Sequence, residues 1–373
     1  MSIPFYKHDL GWEEVEAIKK VFDGSILTTG AVVEEFEVKF SKLTSNQFTL
    51  GVTSCTGALH MALMALDIGP GDEVITTPMT FIATASAIIC AGAKPVFVDV
   101  EKATGNIDPN HIERAITKKT KAIIPVHLYG QMCDMVAIKA IADKYGLKVI
   151  EDSAHCVEGM RDGFRPGNLS DAACFSFYAT KNLTCGEGGA ISFNNPLMYE
   201  KLKLLRLHGM TKSAADREKN GYEHWNMKLL GWKYNLDNIQ AAILLPQLER
   251  LNDKLQMREN LASLYNDNLK NINGIRLFDL AENCIHARHL YPIQVLNKPR
   301  DSVLEGLQKM GIGVVVNYRA IHLLDYFKNH LKYCIGDFPF AEEIGNNVIS
   351  LPFFPGMASD QVNEVCENLL GIV

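Results

Sequence analysis

The sequence predicts an α/β protein with a mostly parallel central sheet, helices on both faces of that sheet, and a smaller C-terminal α+β domain. Two observations support this prediction. Short apolar runs alternate with helical patterns through the first half of the chain, as repeated βα units require. The length of 373 residues also exceeds that of a typical single domain. We expect a large domain over residues 1–250, including the N-terminal segment, and a small domain over residues 251–373.

The predicted strands are six short apolar runs, over residues 74–77, 95–100, 122–126, 148–150, 173–177 and 190–193. Helical patterns separate the first four of these runs, over residues 83–91, 109–116 and 136–145. The residues Gly69, Pro70, Gly71 and Gly146 occupy the expected turns.

The second half of the chain has a different pattern. Residues 202–207 indicate a helix, and the polar residues 211–228 predict a mobile loop near the entrance of a site. Residues 238–258 predict one long amphipathic helix. In the small domain, residues 312–317 resemble a strand that would deliver three side chains toward a pocket: Tyr318, Arg319 and His322.

Lys181 follows the apolar run 172–177 in a stretch of hydroxyl residues and glycines. A lysine at the end of a buried strand is partly removed from water, which lowers the pKa of its amine and makes it a nucleophile toward carbonyl groups. The alternative is a solvated lysine on a loop.

A second polar site follows the apolar run 147–150, where Glu151 and Asp152 lie at the carboxyl end of a predicted parallel strand. Ligands of open α/β sheets bind at that edge. Successive side chains of a strand point to opposite faces, so one of the two acids is expected to face the site. A lysine and an aspartate at neighbouring strand ends suit pyridoxal phosphate, because the amine forms an imine and the carboxylate pairs with the ring nitrogen. Asp152 could instead cap a helix.

The stretch 53–60 is rich in small hydroxyl residues and precedes apolar residues at helical spacing. A helix that begins there offers backbone N–H groups to a phosphate. The signal is weak by itself, and neither a P-loop nor a GxGxxG pattern is present.

Composition limits the class of protein. A net charge of −6 without a basic run argues against nucleic-acid binding. No apolar stretch approaches the roughly 20 residues of a membrane span, and residues 1–8 lack a signal-peptide pattern. Nine scattered cysteines without a CxxC pair suit reduced thiols in the cytoplasm and no metal site. Three cysteines fall beside the predicted site and are interpreted as packing residues, not nucleophiles: Cys55, Cys156 and Cys185.

Seven motifs in this order carry a family resemblance: Leu27-Thr28-Thr29-Gly30, Gly71-Asp72-Glu73-Val74-Ile75-Thr76, Glu151-Asp152-Ser153-Ala154-His155, Ser176-Phe177 with Lys181-Asn182, Glu187-Gly188-Gly189, Lys233-Tyr234-Asn235-Leu236, and Ser350-Leu351-Pro352-Phe353-Phe354-Pro355. With them the chain resembles the nucleotide-sugar aminotransferases of the DegT/DnrJ/StrS group, which are fold-type-I pyridoxal phosphate enzymes. Within that group it is most similar to the branch that makes UDP-4-amino-4-deoxy-L-arabinose.

The resemblance assigns roles to individual residues. Lys181 would hold the cofactor covalently and later shuttle a proton, Asp152 would pair with the ring nitrogen, and His155 would lie near the ring oxygen. Phe81 would stack on the ring, although a plain core phenylalanine is the alternative. The phosphate would be bound by Thr56, Gly57, Ser176 and, from the neighbouring subunit of a homodimer, Asn235.

Substrate contacts are expected from five residues: Thr29, His208, Tyr318, Arg319 and His322. Tyr178 and Thr180 flank the ring and differ from the histidine and isoleucine of similar enzymes. The resemblance implies amino transfer from L-glutamate, released as 2-oxoglutarate, to a nucleotide-linked keto sugar, with UDP and a C4 ketone expected, by a ping-pong mechanism for cell-surface polysaccharide or lipopolysaccharide biosynthesis.

Other functions remain open at this point. One is a related aminotransferase that makes a GDP- or dTDP-linked 4-amino-4,6-dideoxyhexose. A non-catalytic regulator is opposed by the presence of both Lys181 and Asp152. A sugar dehydratase of the group is opposed by the lysine at position 181, where that branch carries histidine. A cysteine-dependent hydrolase is the remaining alternative.

Overall fold

The computed structural model describes residues 2–212 and 224–373. Residues 213–223 of the predicted 211–228 loop lie outside the described part. The two segments that flank them are hydrogen-bonded to each other, since the Thr211 backbone N–H donates to the Asn226 carbonyl at 3.0 Å.

The central sheet has seven strands, which are β1 Phe48–Val52, β2 Glu73–Thr76, β3 Lys94–Phe97, β4 Thr120–Ile123, β5 Lys148–Asp152, β7 Ala172–Ser176 and β8 Gly189–Phe193. Their order across the sheet is β1-β8-β7-β5-β4-β2-β3. Only β8 runs against its two neighbours in this sheet, and the other four pairings are parallel. The six predicted strands are confirmed, whereas β1 was not predicted.

Helices of the first half lie over α1 Trp12–Phe22, α2 Ala31–Thr44, α3 Cys55–Ala65, α4 Ala83–Cys90, α5 Pro109–Ala115, α6 Met135–Tyr145 and α7 Pro196–Leu205. The three predicted helices of this region are confirmed, and the one predicted at 202–207 begins earlier. Polar side chains accept backbone N–H groups at four helix starts: Ser54, Asp108, Asp134 and Asn195.

Both faces of the sheet are covered by helices. Along β7, Ala172 and Cys174 pack in one apolar cluster with α3, whereas Ala173 and Phe175 pack in another with α2. This alternation follows from the two-residue period of a strand. The predicted α/β architecture is therefore confirmed.

The remaining helices are α8 Asn238–Glu249, α9 Leu251–Leu269, α10 Arg300–Lys309, α11 Asp325–Leu331, α12 Pro339–Asn347 and α13 Ser359–Leu370. A second sheet has the order β12-β11-β9, built from β9 Ile275–Leu277, β11 Tyr291–Val295 and β12 Val348–Leu351, while β6 Met160–Arg161 pairs with β10 Cys284–Ile285. A second apolar core forms around this three-stranded sheet and includes Ile3 from the N-terminal segment.

Two predictions for this half are wrong. The helix predicted over 238–258 is broken at Arg250, whose ψ of 9° leaves the helical range, so α8 and α9 are separate. Residues 312–317 form no strand. Ile312 and Val315 each make one isolated bridge, to Ile3 and to Ser350 respectively, so no single neighbouring strand pairs with the whole segment.

Candidate active site

A pocket of about 410 Å³ lies at the carboxyl ends of β5 and β7, beside the N-terminus of α3. This volume falls within the range of about 300–1,000 Å³ that small-molecule sites occupy. Seven of the predicted site residues line it: Thr56, Phe81, Asp152, His155, Ser176, Lys181 and Tyr318. The edge of the sheet predicted to hold the site is therefore the edge that carries the pocket.

Lys181 follows β7 in a tight turn, in which its backbone N–H donates to the Tyr178 carbonyl at 2.9 Å. The side chain is partly buried, and its amine makes no hydrogen bond to any described residue. Burial lowers the pKa of Lys181 to about 8, although Asp152 and Cys55 act in the opposite direction. About a tenth of this amine is consequently neutral at pH 7 and about half at pH 8, and the neutral form is the nucleophile.

Asp152 is the last residue of β5 and its carboxylate faces the pocket. One oxygen accepts the Thr84 hydroxyl at 2.7 Å, and the other accepts the Ala154 backbone N–H at 3.2 Å. A carboxylate has about four lone-pair sites, so this one retains capacity for a further donor from the pocket. The alternative of a helix cap is wrong, because residues 153–159 form no helix and the Ala154 contact belongs to a local turn.

Glu151 points to the opposite face, as the strand period requires. Its two oxygens accept from the Gly167 backbone N–H at 2.7 Å, the Ser170 hydroxyl at 2.5 Å and the His127 Nε2 at 2.6 Å. Both the glutamate and the histidine are almost completely buried. Asp152 is thus the acid that faces the site, and Glu151 is a structural residue.

His155 lies on the pocket wall with a defined tautomer. The Tyr129 backbone N–H donates to its Nδ1 at 3.2 Å, so the hydrogen of the neutral ring is on Nε2 and is donated to the Tyr318 hydroxyl at 3.1 Å. Burial, and secondarily the charge of Lys181, hold the pKa of His155 well below its usual value. The ring is therefore neutral, and it stacks on Tyr318 at a centroid distance of 6.0 Å.

Phe81 is 54% exposed and lines the pocket, which excludes the alternative of a plain core phenylalanine. Its ring lies 5.8 Å from that of Tyr318 at an angle of 47°. The aromatic wall of the pocket therefore comes from two distant parts of the sequence.

The N-terminus of α3 opens into the pocket. The Ser54 hydroxyl accepts the Gly57 N–H at 3.0 Å, while the N–H groups of Cys55 and Thr56 have no acceptor within the helix. Gly189 at the start of β8 allows this close packing, because a Cβ there would lie 2.5 Å from the Ser54 carbonyl carbon. Ser176 lies on the adjacent wall, where its hydroxyl accepts the Tyr178 N–H at 3.3 Å.

Asn235 and Thr29 lie together, but outside this pocket. The Asn235 amide donates to the Thr29 hydroxyl at 2.7 Å, and Thr29 donates to the Leu236 carbonyl at 2.5 Å. Asn235 also lines a separate cavity of about 380 Å³ with Thr28, Thr53 and Lys233. The structure of one chain therefore does not bring Asn235 or Thr29 to Lys181.

Three predicted substrate contacts also lie elsewhere. His208 and Arg319 are exposed and do not line the Lys181 pocket. His322 is completely buried, packs against Phe338 and pairs with Glu342 at 3.1 Å. Tyr318 is the predicted substrate contact that does line the Lys181 pocket, and Asn317 lies beside it on the pocket wall.

Sequence reasoning missed several residues of the site, including Thr84, Glu187 and Asn317. Glu187 belongs to a motif quoted for the family resemblance, but its position at the pocket was not predicted. Thr84 could have been suspected because hydroxyl residues recur after β2, at Thr77, Thr80 and Thr84. No pattern marks Asn317.

Comparison with known proteins decides the family. The sequence model of the DegT/DnrJ/EryC1/StrS aminotransferase family matches residues 8–370. The chain belongs to this family. A curated relative, the spore coat polysaccharide biosynthesis protein SpsC of Bacillus subtilis, is 39% identical over 377 residues, which cover 100% of this chain and 97% of SpsC.

Solved structures agree with this assignment. Spr1654 of Streptococcus pneumoniae, in its PMP-form, superimposes with a TM-score of 0.94 at 31% identity and covers 99% of this chain and 98% of its own. PseC of Helicobacter pylori, an aminotransferase involved in the biosynthesis of pseudaminic acid, gives a TM-score of 0.93 at 28% identity and covers 100% and 99%. The predicted fold-type-I fold and the predicted class, a sugar aminotransferase, are therefore confirmed.

Two further properties concern the described residues only. No helix among them combines the length and the apolar character needed to cross a bilayer. Within the same residues, no group of three or more His, Cys, Asp or Glu side chains is placed to hold a metal ion.

Proposed function

We propose that this enzyme transfers the amino group of L-glutamate to a nucleotide-linked keto sugar, with a UDP-linked 4-keto sugar as the acceptor, and releases 2-oxoglutarate. The observation that carries the proposal is that Lys181, Asp152 and the N-terminus of α3 line the same pocket. The chain that holds this pocket belongs to an aminotransferase family.

The cofactor is pyridoxal 5′-phosphate, in agreement with neighbours solved in PLP and PMP forms. The residues present fit it. Lys181 supplies a partly buried amine without a hydrogen-bond partner among the described residues, and Asp152 retains lone pairs for a ring N–H. The N–H groups of Cys55 and Thr56 suit the phosphate, together with the Thr56 and Ser176 hydroxyls. Phe81 offers an exposed aromatic face to the ring.

When bound, pyridoxal phosphate supplies an electron sink for the carbon that loses or gains a proton. Lys181 would hold the cofactor covalently and, once displaced by the amino donor, would move that proton. Asp152 would keep a proton on the ring nitrogen, which its charge stabilises. His155 would present a neutral ring with a fixed tautomer to the cofactor, and Phe81 would exclude water from one face.

The active form is proposed to be a cytoplasmic homodimer in which Asn235 of one subunit completes the site of the other. Asn235 is buried, lies outside the Lys181 pocket of its own chain, and lines a second cavity of about 380 Å³. A site shared between two chains explains why this polar cluster lies at a cavity separate from the Lys181 pocket. Thr29 and Thr28 would belong to the same shared region.

Subunit complementation tests this arrangement. Lys181→Ala and Asn235→Ala homodimers are each expected to be inactive. Assembly of an equal mixture by co-expression would make about half of the dimers heterodimers, each with one intact site of two, hence about a quarter of wild-type activity. No recovery in heterodimers verified by mass would contradict the shared site.

The acceptor is inferred from the family and from the lining of the pocket. Among the described residues that line it, Lys181 is the one cation, whereas Asp152 and Glu187 are acidic. The neutral sugar would therefore enter the pocket toward Lys181, and the anionic diphosphate would stay outside, farther from the buried Asp152. The biological role would be cell-surface polysaccharide or lipopolysaccharide biosynthesis, in keeping with SpsC, which is a spore coat polysaccharide biosynthesis protein.

The substrate is tested with a panel of UDP-, GDP- and dTDP-linked 4-keto sugars, with glutamate as the donor and 2-oxoglutarate release as the readout. We expect the highest kcat/KM for a UDP-linked sugar. A pentose and a 6-deoxyhexose differ by one methyl group, worth about 1–3 kcal/mol of discrimination. Preference for a GDP- or dTDP-linked 4-keto-6-deoxyhexose would favour the related dideoxyhexose enzyme. Absence of amino transfer to every sugar would contradict the proposal.

A further inference from the structure

Asn182 follows Lys181, and its side chain joins two other segments of the chain, the loop that holds Glu158 and the stretch 287–289. Its Nδ2 donates to both carboxylate oxygens of Glu158, at 3.1 and 2.9 Å, and to the Ala287 carbonyl at 2.8 Å. Its Oδ1 contacts the His289 Nδ1 at 3.2 Å. A carboxylate can only accept, so the amide orientation is fixed with Nδ2 toward Glu158.

Glu158 is one half of a buried ion pair. Its side chain is 2% exposed, and that of its partner Arg258 is 3% exposed. Arg258 lies on α9, the helix that follows the break at Arg250, whereas Glu158 lies in the loop after β5. Because an unpaired buried charge is costly, this pair holds a fixed geometry between the two halves of the chain.

His289 extends the network toward the pocket. The Asn182 Oδ1 can only accept, so it requires the hydrogen of His289 on Nδ1. Burial, followed by the charge of Lys181, holds the pKa of His289 well below its usual value, and the ring is neutral. Its centroid lies 4.4 Å from that of His155, so His289 backs the histidine that lines the pocket.

We propose that Asn182 is a positioning residue, which anchors the main chain beside Lys181 to the Glu158–Arg258 pair and holds His289 behind His155. In this way Asn182 keeps the Lys181 amine shielded from water and within reach of the cofactor. This inference rests on the proposed function, because it concerns the same lysine. It goes beyond that function by assigning a role to groups that do not line the pocket.

Gln247 provides a matched control. It is a buried amide, whereas Asn182 is partly buried, and it holds the same loop through the Thr184 carbonyl at 2.8 Å and the Thr184 N–H at 3.1 Å. Its hydrogen bonds do not reach Glu158 or His289. Gln247→Ala therefore loosens the loop three residues beyond Lys181 while the hydrogen bonds of Asn182 stay in place, although Gln247 and Lys181 line one small cavity of about 30 Å³.

The experiment follows the uptake of pyridoxal phosphate by cofactor-free full-length protein, measured by absorbance between about pH 6.5 and 10. The uptake rate of the wild type should rise with pH with a midpoint of about 8, the pKa set by burial against the charges of Asp152 and Cys55. The nearby histidines, His155 and His289, stay neutral over this range.

Asn182→Ala admits water beside Lys181, so its midpoint should move upward toward the ordinary value of 10.5. A rise of about one pH unit would leave about a tenth of the amine neutral at pH 8 instead of half, and uptake would be about fivefold slower. Gln247→Ala should lower the melting temperature but keep the wild-type midpoint.

Equal losses of melting temperature in both variants, with both midpoints unchanged, would overturn the proposal and leave Asn182 a structural cross-link. If Asn182→Ala does not fold, Asn182→Ser is measured by the same criteria. Wild-type protein that takes up no cofactor at any pH would overturn both the proposed function and this inference. Unchanged midpoints, in a wild type that does take up the cofactor, would overturn this inference alone.

Discussion

Glu151 and Asp152 are consecutive carboxylates at the end of one strand, yet their surroundings differ. Glu151 accepts from three protein donors on a face closed by packing. Asp152 accepts the Thr84 hydroxyl and the Ala154 N–H, lies 3.8 Å from the Cys55 thiol, and faces a pocket of about 410 Å³ that leaves room for a further donor. The comparison teaches that a buried acid with its acceptors occupied serves stability, whereas one with spare acceptors beside a cavity serves binding.

The histidines beside these acids repeat the contrast. Each accepts a backbone N–H at Nδ1, His127 from Cys133 and His155 from Tyr129, so each carries its hydrogen on Nε2. The Nε2 of His127 donates to Glu151 inside the core, while that of His155 donates to the Tyr318 hydroxyl at the pocket wall. The same local chemistry therefore supports a structural pair on one face and a site on the other.

The largest effect is expected at the nucleophile. Lys181→Ala should reduce kcat by at least about 10⁴-fold, because both the covalent attachment and the proton transfer are lost. Its melting temperature without cofactor should not fall, since the amine makes no hydrogen bond to the described residues. Steady-state assays and thermal unfolding check both statements. Residual activity above one-hundredth of the wild-type value would contradict this role.

Asp152→Asn tests the cofactor-binding role that the comparison gives to Asp152. The amide oxygen can still accept the Thr84 hydroxyl, but the NH₂ group then faces the Ala154 N–H and can no longer stabilise a proton on the cofactor ring. We expect kcat to fall by about 10²–10³-fold, with a loss of about 1 kcal/mol of unfolding free energy for the one hydrogen bond from Ala154. A variant that unfolds at lower denaturant but turns over normally would place Asp152 in the structural class with Glu151.

Glu151→Gln tests the structural role that the comparison gives to Glu151. Its NH₂ group would face either the His127 Nε2–H or the donors Gly167 and Ser170, so at least one buried donor is left unpaired. The free energy of unfolding should drop by about 2–3 kcal/mol, measured by urea titration. The kcat at a temperature where the variant is folded should stay within about threefold, since Glu151 does not line the pocket. A much larger loss of kcat in the folded variant would remove the contrast between the two acids.

The smallest effect is expected for thiols near the site. Burial raises the pKa of Cys156 and of Cys185, which keeps both protonated and poorly nucleophilic. Cys156→Ala and Cys185→Ala should therefore keep kcat within about twofold of the wild type. Loss of activity in either variant while it remains folded would revive a cysteine-dependent reaction.

The sequence was sufficient to locate the centre of the site. Lys181 and Asp152 each follow an apolar run, and β5 and β7 prove to be neighbours, so their carboxyl ends meet. The alternation of a strand also predicted that one of the two acids faces the site. These conclusions need only local patterns and the geometry of a parallel sheet.

Contacts from distant segments could not be predicted in this way. The segment 312–317 was read as a strand, but isolated bridges hold it, and Tyr318 faces the pocket while Arg319 points outward. The burial of His322 depends on Glu342, which lies 20 residues later in the chain. Such placements are decided by tertiary packing, which periodicity does not encode.

The central claim is that Lys181 and Asp152 hold opposite ends of one pyridoxal phosphate. Borohydride reduction of the loaded enzyme, followed by peptide mapping, tests it most directly. The account predicts a single label on the peptide that contains Lys181 in the wild type, and no label in Lys181→Ala. A label on another lysine, or none in the wild type, would contradict it.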